Sequence, residues 1–245
     1  MTEVMSVIGT RPEIIRMSCL IPLLDRSFDH RLVYTSQHYS QSMSEVFFRE
    51  LRVRKPDAAL DVNGSGIREL SSAIGRDIRR SKPDFVLVYG DTNTVMAGAL
   101  AAKENRTKLI HVEAGFRSFD GRMPEERTRV FADHEGGILF APSKLAGSLL
   151  AAEGIKKNVF VVGDLTLDAL RRFSAEAKKS RILKELGLGN EPYVLFTAHR
   201  QENVDSKRNL SQLVRLLSAV EEKVVYPVHP RTQKMLRSFG LRLPG

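Results

Sequence analysis

Seven short β-branched or apolar runs recur along the chain, and the stretches between them carry Leu, Ile and Ala at helical spacing. The runs are Glu3–Ile8, Arg31–Thr35, Phe85–Tyr89, Lys108–Val112, Val159–Val162, Tyr193–Phe196 and Val224–Val228. Helical spacing is clearest over Thr92–Lys103, Ser143–Glu153 and Arg208–Val220. Strand, helix, strand in that order calls for right-handed crossovers and a parallel sheet covered on both faces. No internal repeat of fixed period and no low-complexity tract competes with this reading. The expected class is α/β.

A boundary is expected after Asp168, giving units 1–168 and 169–245. From Ala169 the chain is highly charged and helical in pattern, and it ends in Gly187-Leu188-Gly189-Asn190-Glu191-Pro192 before a fresh strand at Tyr193. The second unit then holds about two strands where an ordinary sheet has about five or six, so it reads as unfinished. With 42% hydrophobic residues in 245, a packed core is expected rather than disorder. No apolar run is long enough to span a bilayer, and Met1-Thr2-Glu3-Val4 does not open like a signal peptide. Cys19 is the single cysteine, which excludes an internal disulfide and a cysteine zinc site. A cytoplasmic protein is the expectation.

Lys and Arg number 38 against 29 Asp and Glu, a net charge of +9. That surplus invites a nucleic-acid reading, yet the cations are scattered through mixed stretches such as Arg49-Glu50-Leu51-Arg52. The denser groups, Arg52–Lys55 and Lys178–Arg181, lack interleaved aromatics. A solvated basic surface accounts for them better.

Ligands of open parallel sheets bind beyond the carboxyl ends of the strands. The segments falling there are Gly9-Thr10-Arg11-Pro12-Glu13, Ser36-Gln37-His38-Tyr39, Gly90-Asp91-Thr92-Asn93-Thr94 and His111-Val112-Glu113-Ala114-Gly115. Pro124-Glu125-Glu126 lies just beyond, and Ala198-His199-Arg200 and His229-Pro230-Arg231 occupy the same places in the second unit. Each segment also has an ordinary structural account. Pro12 suits a first helical turn, Asp91 suits an N-cap, and Glu125 and Glu126 suit the positive end of a helix dipole. His199 and His229 would serve equally as core histidines bonded to backbone. Glu113 resists such an account, because an acid ending an apolar strand is costly to bury unpaired. Together, separate carboxylates and a histidine suit proton transfer on opposite faces of a substrate, while arginines and helix N-termini suit a diphosphate. There is no GxGxxG, no P-loop and no metal-spaced pair of histidines.

Taken in order, Gly9-Thr10-Arg11-Pro12-Glu13-Ile14-Ile15-Arg16, Gln37-His38-Tyr39, Gly90-Asp91-Thr92-Asn93-Thr94 and His111-Val112-Glu113-Ala114-Gly115 resemble the non-hydrolysing UDP-N-acetylglucosamine 2-epimerases. The likeness continues through Phe116-Arg117-Ser118-Phe119-Asp120, Met123-Pro124-Glu125-Glu126, Asp133-His134 and His199-Arg200-Gln201-Glu202-Asn203-Val204-Asp205, and is closest to archaeal members. The resemblance implies a GT-B-like α/β fold of two Rossmann-like domains with parallel sheets, the second incomplete here. It implies reversible conversion of UDP-GlcNAc to UDP-ManNAc, a cell-surface polysaccharide precursor, without cofactor or metal. The implied route is elimination of UDP to a 2-acetamidoglucal and re-addition after proton delivery to the other face of C2. Matched residue by residue, it implies catalytic roles for Asp91, Glu113, Glu125 and His199. Substrate contacts are implied for Arg11, Arg16, Gln37, His38, Arg117, His229 and Arg231. The implied partners are a UDP-sugar and a second copy of the chain in a homodimer, or a complementing C-terminal fragment, with no nucleic acid or membrane.

Several positions depart from the family pattern. Arg16 stands where lysine is usual, and Gly163-Asp164 where Gly-Asn is usual. Asp133-His134-Glu135-Gly136-Gly137 replaces a more hydrophobic stretch, and its glycines are expected to weaken a helix. The family's later motifs, Asp-Ser-Gly-Gly and Thr-Glu-Arg-Pro-Glu, are absent, so weak or no activity is expected of this length of chain. Two alternatives stay open: a hydrolysing relative that releases UDP and ManNAc, and an inactive remnant or split-enzyme subunit that binds a sugar nucleotide.

Overall fold

The computed structural model describes residues 1–35, 41–60, 62, 66–189 and 191–244, with side chains from residue 45 onward in the helix beginning at Gln41. Gln37 and His38 lie outside the described residues. The chain divides into two compact units, residues 1–175 and 176–245.

The first unit runs β1 (Glu3–Ile8), α1 (Arg11–Met17), α2 (Ile21–Ser27), β2 (Asp29–Tyr34), α3 (Gln41–Glu50), β3 (Ala58–Ala59), α4 (Ile67–Ser81), β4 (Phe85–Tyr89), α5 (Asn93–Glu104) and β5 (Lys108–Val112). It continues through α6 (Pro124–Glu135), β6 (Gly136–Ala141), α7 (Lys144–Ala152), β7 (Val159–Val161) and α8 (Leu165–Lys178). The second unit holds α9 (Ile182–Glu185), β8 (Tyr193–Leu195), α10 (Gln201–Val204), α11 (Lys207–Ser218), β9 (Lys223–Val225) and α12 (Pro230–Phe239). The expected boundary at Asp168 falls inside α8.

Seven strands of the first unit form one sheet in the order β3-β2-β1-β4-β5-β6-β7, and every neighbouring pair is parallel. The order reverses between β1 and β4, which opens a crevice at their carboxyl ends. Apolar side chains point from both faces, as expected where helices cover each side. Met5, Val7, Val86 and Val88 pack with Leu70, Ile74 and Ile78 of α4 and with the alanines of α5. Val4, Ile8, Leu87 and Tyr89 pack on the other face with Ile14, Met17, Ile21 and Leu24 of α1 and α2. In the second unit, β8 and β9 form a parallel two-stranded sheet, and Val204, Leu210 and Leu236 form a small separate core.

Helix starts follow their local chemistry. Thr10 caps α1 through a reciprocal box with Glu13, and Pro12 lies in its first turn. Ser143 caps α7 and Ser206 caps α11. The glycines at 136 and 137 do not weaken the middle of a helix as expected. Gly136 terminates α6, and both residues begin β6, a strand absent from the expected set. A side-chain β-carbon at Gly136 would lie 2.4 Å from Leu139 Cδ2, so the tight helix-to-strand junction accounts for the glycine.

Candidate active site

The turns after β1 and β4 meet at the crevice where strand order reverses. Glu13 sits at its base, 2% exposed. Its Oε2 accepts the N–H groups of Gly9 at 2.7 Å and Thr10 at 2.6 Å, and its Oε1 accepts the Thr92 hydroxyl at 2.7 Å. Burial outweighs these hydrogen bonds and raises the proton affinity of Glu13. Sequence reasoning placed Glu13 only within a motif, whereas the fold makes it the link between two loops.

Asp91 is not the N-cap of α5. That position belongs to Thr92, whose hydroxyl accepts from Val95 N at 3.4 Å. Asp91 instead pairs with Arg129 of α6, and the same guanidinium reaches Glu126 Oε2 at 3.1 Å. Glu126 is buried and accepts from Ser118 N, Ser118 Oγ and Phe119 N at 2.8–2.9 Å. Burial pushes its carboxyl upward, but these donors outweigh that and hold it below the usual range. Glu125 is exposed in the first turn of α6 and has no hydrogen bond or ion pair among the described residues. Of the two adjacent acids, Glu126 therefore organises the loop and Glu125 is free to face solvent or substrate.

Glu113 follows β5 in the left-handed region, with φ of 72°. Both of its carboxylate oxygens lie 3.4 Å from Arg16 Nη1. Burial raises its proton affinity, Arg16 opposes the rise, and Asp91 and Asp164 reinforce it. Asp164 accepts from Thr166 N at 2.7 Å at the start of α8. Arg16 also lies over the Tyr89 ring, 5.7 Å from its centroid. The Tyr89 hydroxyl is buried close to the charges of Glu113, Arg16 and Asp164.

The remaining expected contacts divide. Arg11 stands over Phe47, 5.9 Å from the ring centroid, and is half-buried beside the first turn. Arg117 is turned inward: its side chain is 2% exposed, with Nη1 2.7 Å from Asp133 Oδ2. Its Nε and Nη2 engage Glu153 at 2.6 and 2.8 Å. These carboxylates leave the guanidinium in a structural role here, and a substrate would have to compete for it. In the second unit, the exposed His199 stacks on His229 with centroids 5.3 Å apart. His229 Nδ1 caps α12 by accepting from Arg231 N at 3.1 Å. Arg231 makes a two-pronged contact with Asp205 at 2.9 and 2.7 Å. Tyr226 and Thr232 donate to Ala198 O at 2.6 and 3.0 Å, which fixes the backbone that presents His199. Among the described residues no set of three His, Cys, Asp or Glu groups could hold a metal, and no helix is long and apolar enough to cross a membrane.

A family model described as UDP-N-acetylglucosamine 2-epimerase matches residues 23–243. A Methanococcus maripaludis protein named UDP-N-acetylglucosamine 2-epimerase is 42% identical over 248 residues, spanning 96% of this chain and 67% of that protein. A Methanocaldococcus jannaschii protein of the same name is 39% identical over 249 residues, spanning 96% of this chain and 68% of that protein. The crystal structure of Methanocaldococcus jannaschii UDP-GlcNAc 2-epimerase in complex with UDP-GlcNAc and UDP matches with a TM-score of 0.89 and 37% identity. That match covers 98% of this chain and 69% of the other. The α/β class, with its parallel seven-stranded sheet, is the GT-B-like class of these structures. On sequence and on fold alike, the chain belongs to the UDP-N-acetylglucosamine 2-epimerase family.

Proposed function

We propose that this chain interconverts UDP-GlcNAc and UDP-ManNAc, acting in the cytoplasm to supply a polysaccharide precursor. The observation that carries the reading is Glu113, a carboxyl of raised proton affinity at the end of β5, coupled to Asp91 at the end of β4. A weakly acidic C2 proton needs a base whose proton affinity approaches that of its surroundings, and burial supplies that here. In this reading Glu113, Asp91 and Glu125 share the proton transfers. One removes the C2 proton as the bond from C1 to the UDP oxygen breaks, giving 2-acetamidoglucal and UDP. Re-addition of UDP at C1, with a proton delivered to the opposite face of C2, gives the epimer. Arg11 in the first turn of α1 and Arg16 in its last turn are cations that suit the diphosphate, and His199, His229 and Arg231 suit support of the departing UDP. The relatives' names support the same substrate.

The test is incubation of the purified chain with UDP-GlcNAc in deuterium oxide. UDP-ManNAc carrying deuterium at C2 is expected, formed slowly, in keeping with the weak activity that the absent later motifs imply. Free UDP with ManNAc would assign the hydrolysing reaction instead, and no exchange at C2 would overturn the proposal.

A further inference from the structure

His111 lies within β5, two residues before Glu113, and none of its surface is exposed. Its Nδ1 is 2.7 Å from Asp133 Oδ1, and its Nε2 is 2.8 Å from the carbonyl oxygen of Gly90. The carbonyl can only accept. Asp133 is an acceptor as well, its other oxygen taking the N–H of Gly115 at 3.0 Å and the Arg117 guanidinium at 2.7 Å. A neutral imidazole has one N–H, and would set its remaining lone pair against an acceptor in a closed interior.

We propose that His111 carries protons on both ring nitrogens and is a positioning residue, a cationic staple between the loops that bear Asp91 and Glu113. Gly90 directly precedes Asp91, and its φ of 80° makes the turn. Asp133 Oδ2 accepts from Gly115 N at 3.0 Å, on the turn that follows Glu113. Asp133 and Arg129 share α6, and Arg129 holds Asp91. A closed circuit results, running from His111 through Gly90, Asp91, Arg129 and Asp133 back to His111. Charge balances around Asp133. His111 and Arg117 supply two cations, and Asp133 and Glu153 supply two carboxylates, so a buried imidazolium is compensated. His134 at the rim contacts Glu153 Oε2 at 3.2 Å.

The protonation state does not depend on the proposed reaction, whereas the positioning role rests on it, and the experiment separates the two. Ring-labelled histidine in the full 245-residue chain reports each N–H directly by NMR, with His111 assigned through its ring carbons. Two slowly exchanging N–H signals from His111 are expected, and one ring proton would overturn the proposal even if the chain proves inactive. His111→Asn keeps a polar group but can donate to only one of the acceptors. In the folded variant kcat for C2 exchange should fall about 100-fold, the scale of a misplaced catalytic group, with KM little changed. An unchanged kcat, or a loss confined to KM, would overturn the positioning role. If this variant fails to fold, the NMR measurement on the native chain still decides the protonation state, and His111→Gln carries the kinetic arm.

Discussion

Thr92 donates its hydroxyl to Glu13 Oε1 at 2.7 Å, and this bond joins the loop after β1 to the loop after β4 at the crevice between them. The same hydroxyl accepts from Val95 N and so starts α5, while the other Glu13 oxygen gathers Gly9 N and Thr10 N. One threonine and one buried glutamate thereby set the spacing of the turns that carry Arg11 and Asp91.

Thr92→Val keeps the shape but removes both the cap and the donor to Glu13. A loss of about 1–2 kcal/mol is expected from the cap and the unsatisfied carboxylate together. Thr92→Ser retains the hydroxyl and should stay within about 0.5 kcal/mol of the parent. Urea midpoints of the three proteins check this, and a valine variant as stable as the serine variant would refute it.

Glu113 should write the acid side of the pH profile. A base must be ionised to act, so its raised proton affinity makes activity fall as pH drops through that value. Arg16 opposes the rise. Replacing it by Gln removes the opposing charge, and the acid limb of kcat/KM for C2 exchange should move to higher pH, whatever happens to the plateau. A limb that stays in place or moves to lower pH would exclude Glu113 as the titrating group.

Asp133 makes the opposite linkage. Its folded carboxyl lies below the ordinary range, so the stability it contributes is present above the unfolded value, about 3.9, and is lost as pH falls through the folded one. Asp133→Asn leaves His111 and Arg117 facing a neutral amide in the interior, which is expected to cost about 3–5 kcal/mol at neutral pH. The deficit should shrink as the parent protein is acidified. Unfolding curves of both proteins across the acid range test this, and a deficit independent of pH would contradict it.

Much of the first unit was legible because its central strands are mostly apolar and buried on both faces. Glu3–Ile8, Phe85–Tyr89 and Lys108–Val112 have the expected bounds in the structure. β6 was not legible, since Gly136-Gly137 at its start reads as a break when the packing of Leu139 is unseen. The site was legible as segments but not as contacts. Asp91 and Thr92 are both good caps, and only the reach of Arg129 across from α6 separates their roles. Glu125 and Glu126 are adjacent acids about 100° apart around a helix, so the sequence does not say which one turns inward to Ser118. Arg117 reads as a free cation until Asp133 and Glu153, distant in the chain, are brought to it.

Gly9 tests how closely the crevice is packed. A β-carbon built there would lie 2.1 Å from Thr94 Oγ1 and 2.2 Å from Thr35 Oγ1, and these hydroxyls bond each other at 2.9 Å in a fully buried position. Neither neighbour can swing aside, because both are β-branched and closed in. Gly9→Ala must therefore displace the carboxyl end of β1, and a cost of about 1–3 kcal/mol is expected from overpacking. Cutting both neighbours back, Thr35→Ala with Thr94→Ala, opens the space that the new methyl needs. In that background the same Gly9→Ala change should cost clearly less, a coupling of about 0.5 kcal/mol or more in a double-mutant cycle. Strictly additive losses would show that the glycine is required for some reason other than room beside these threonines.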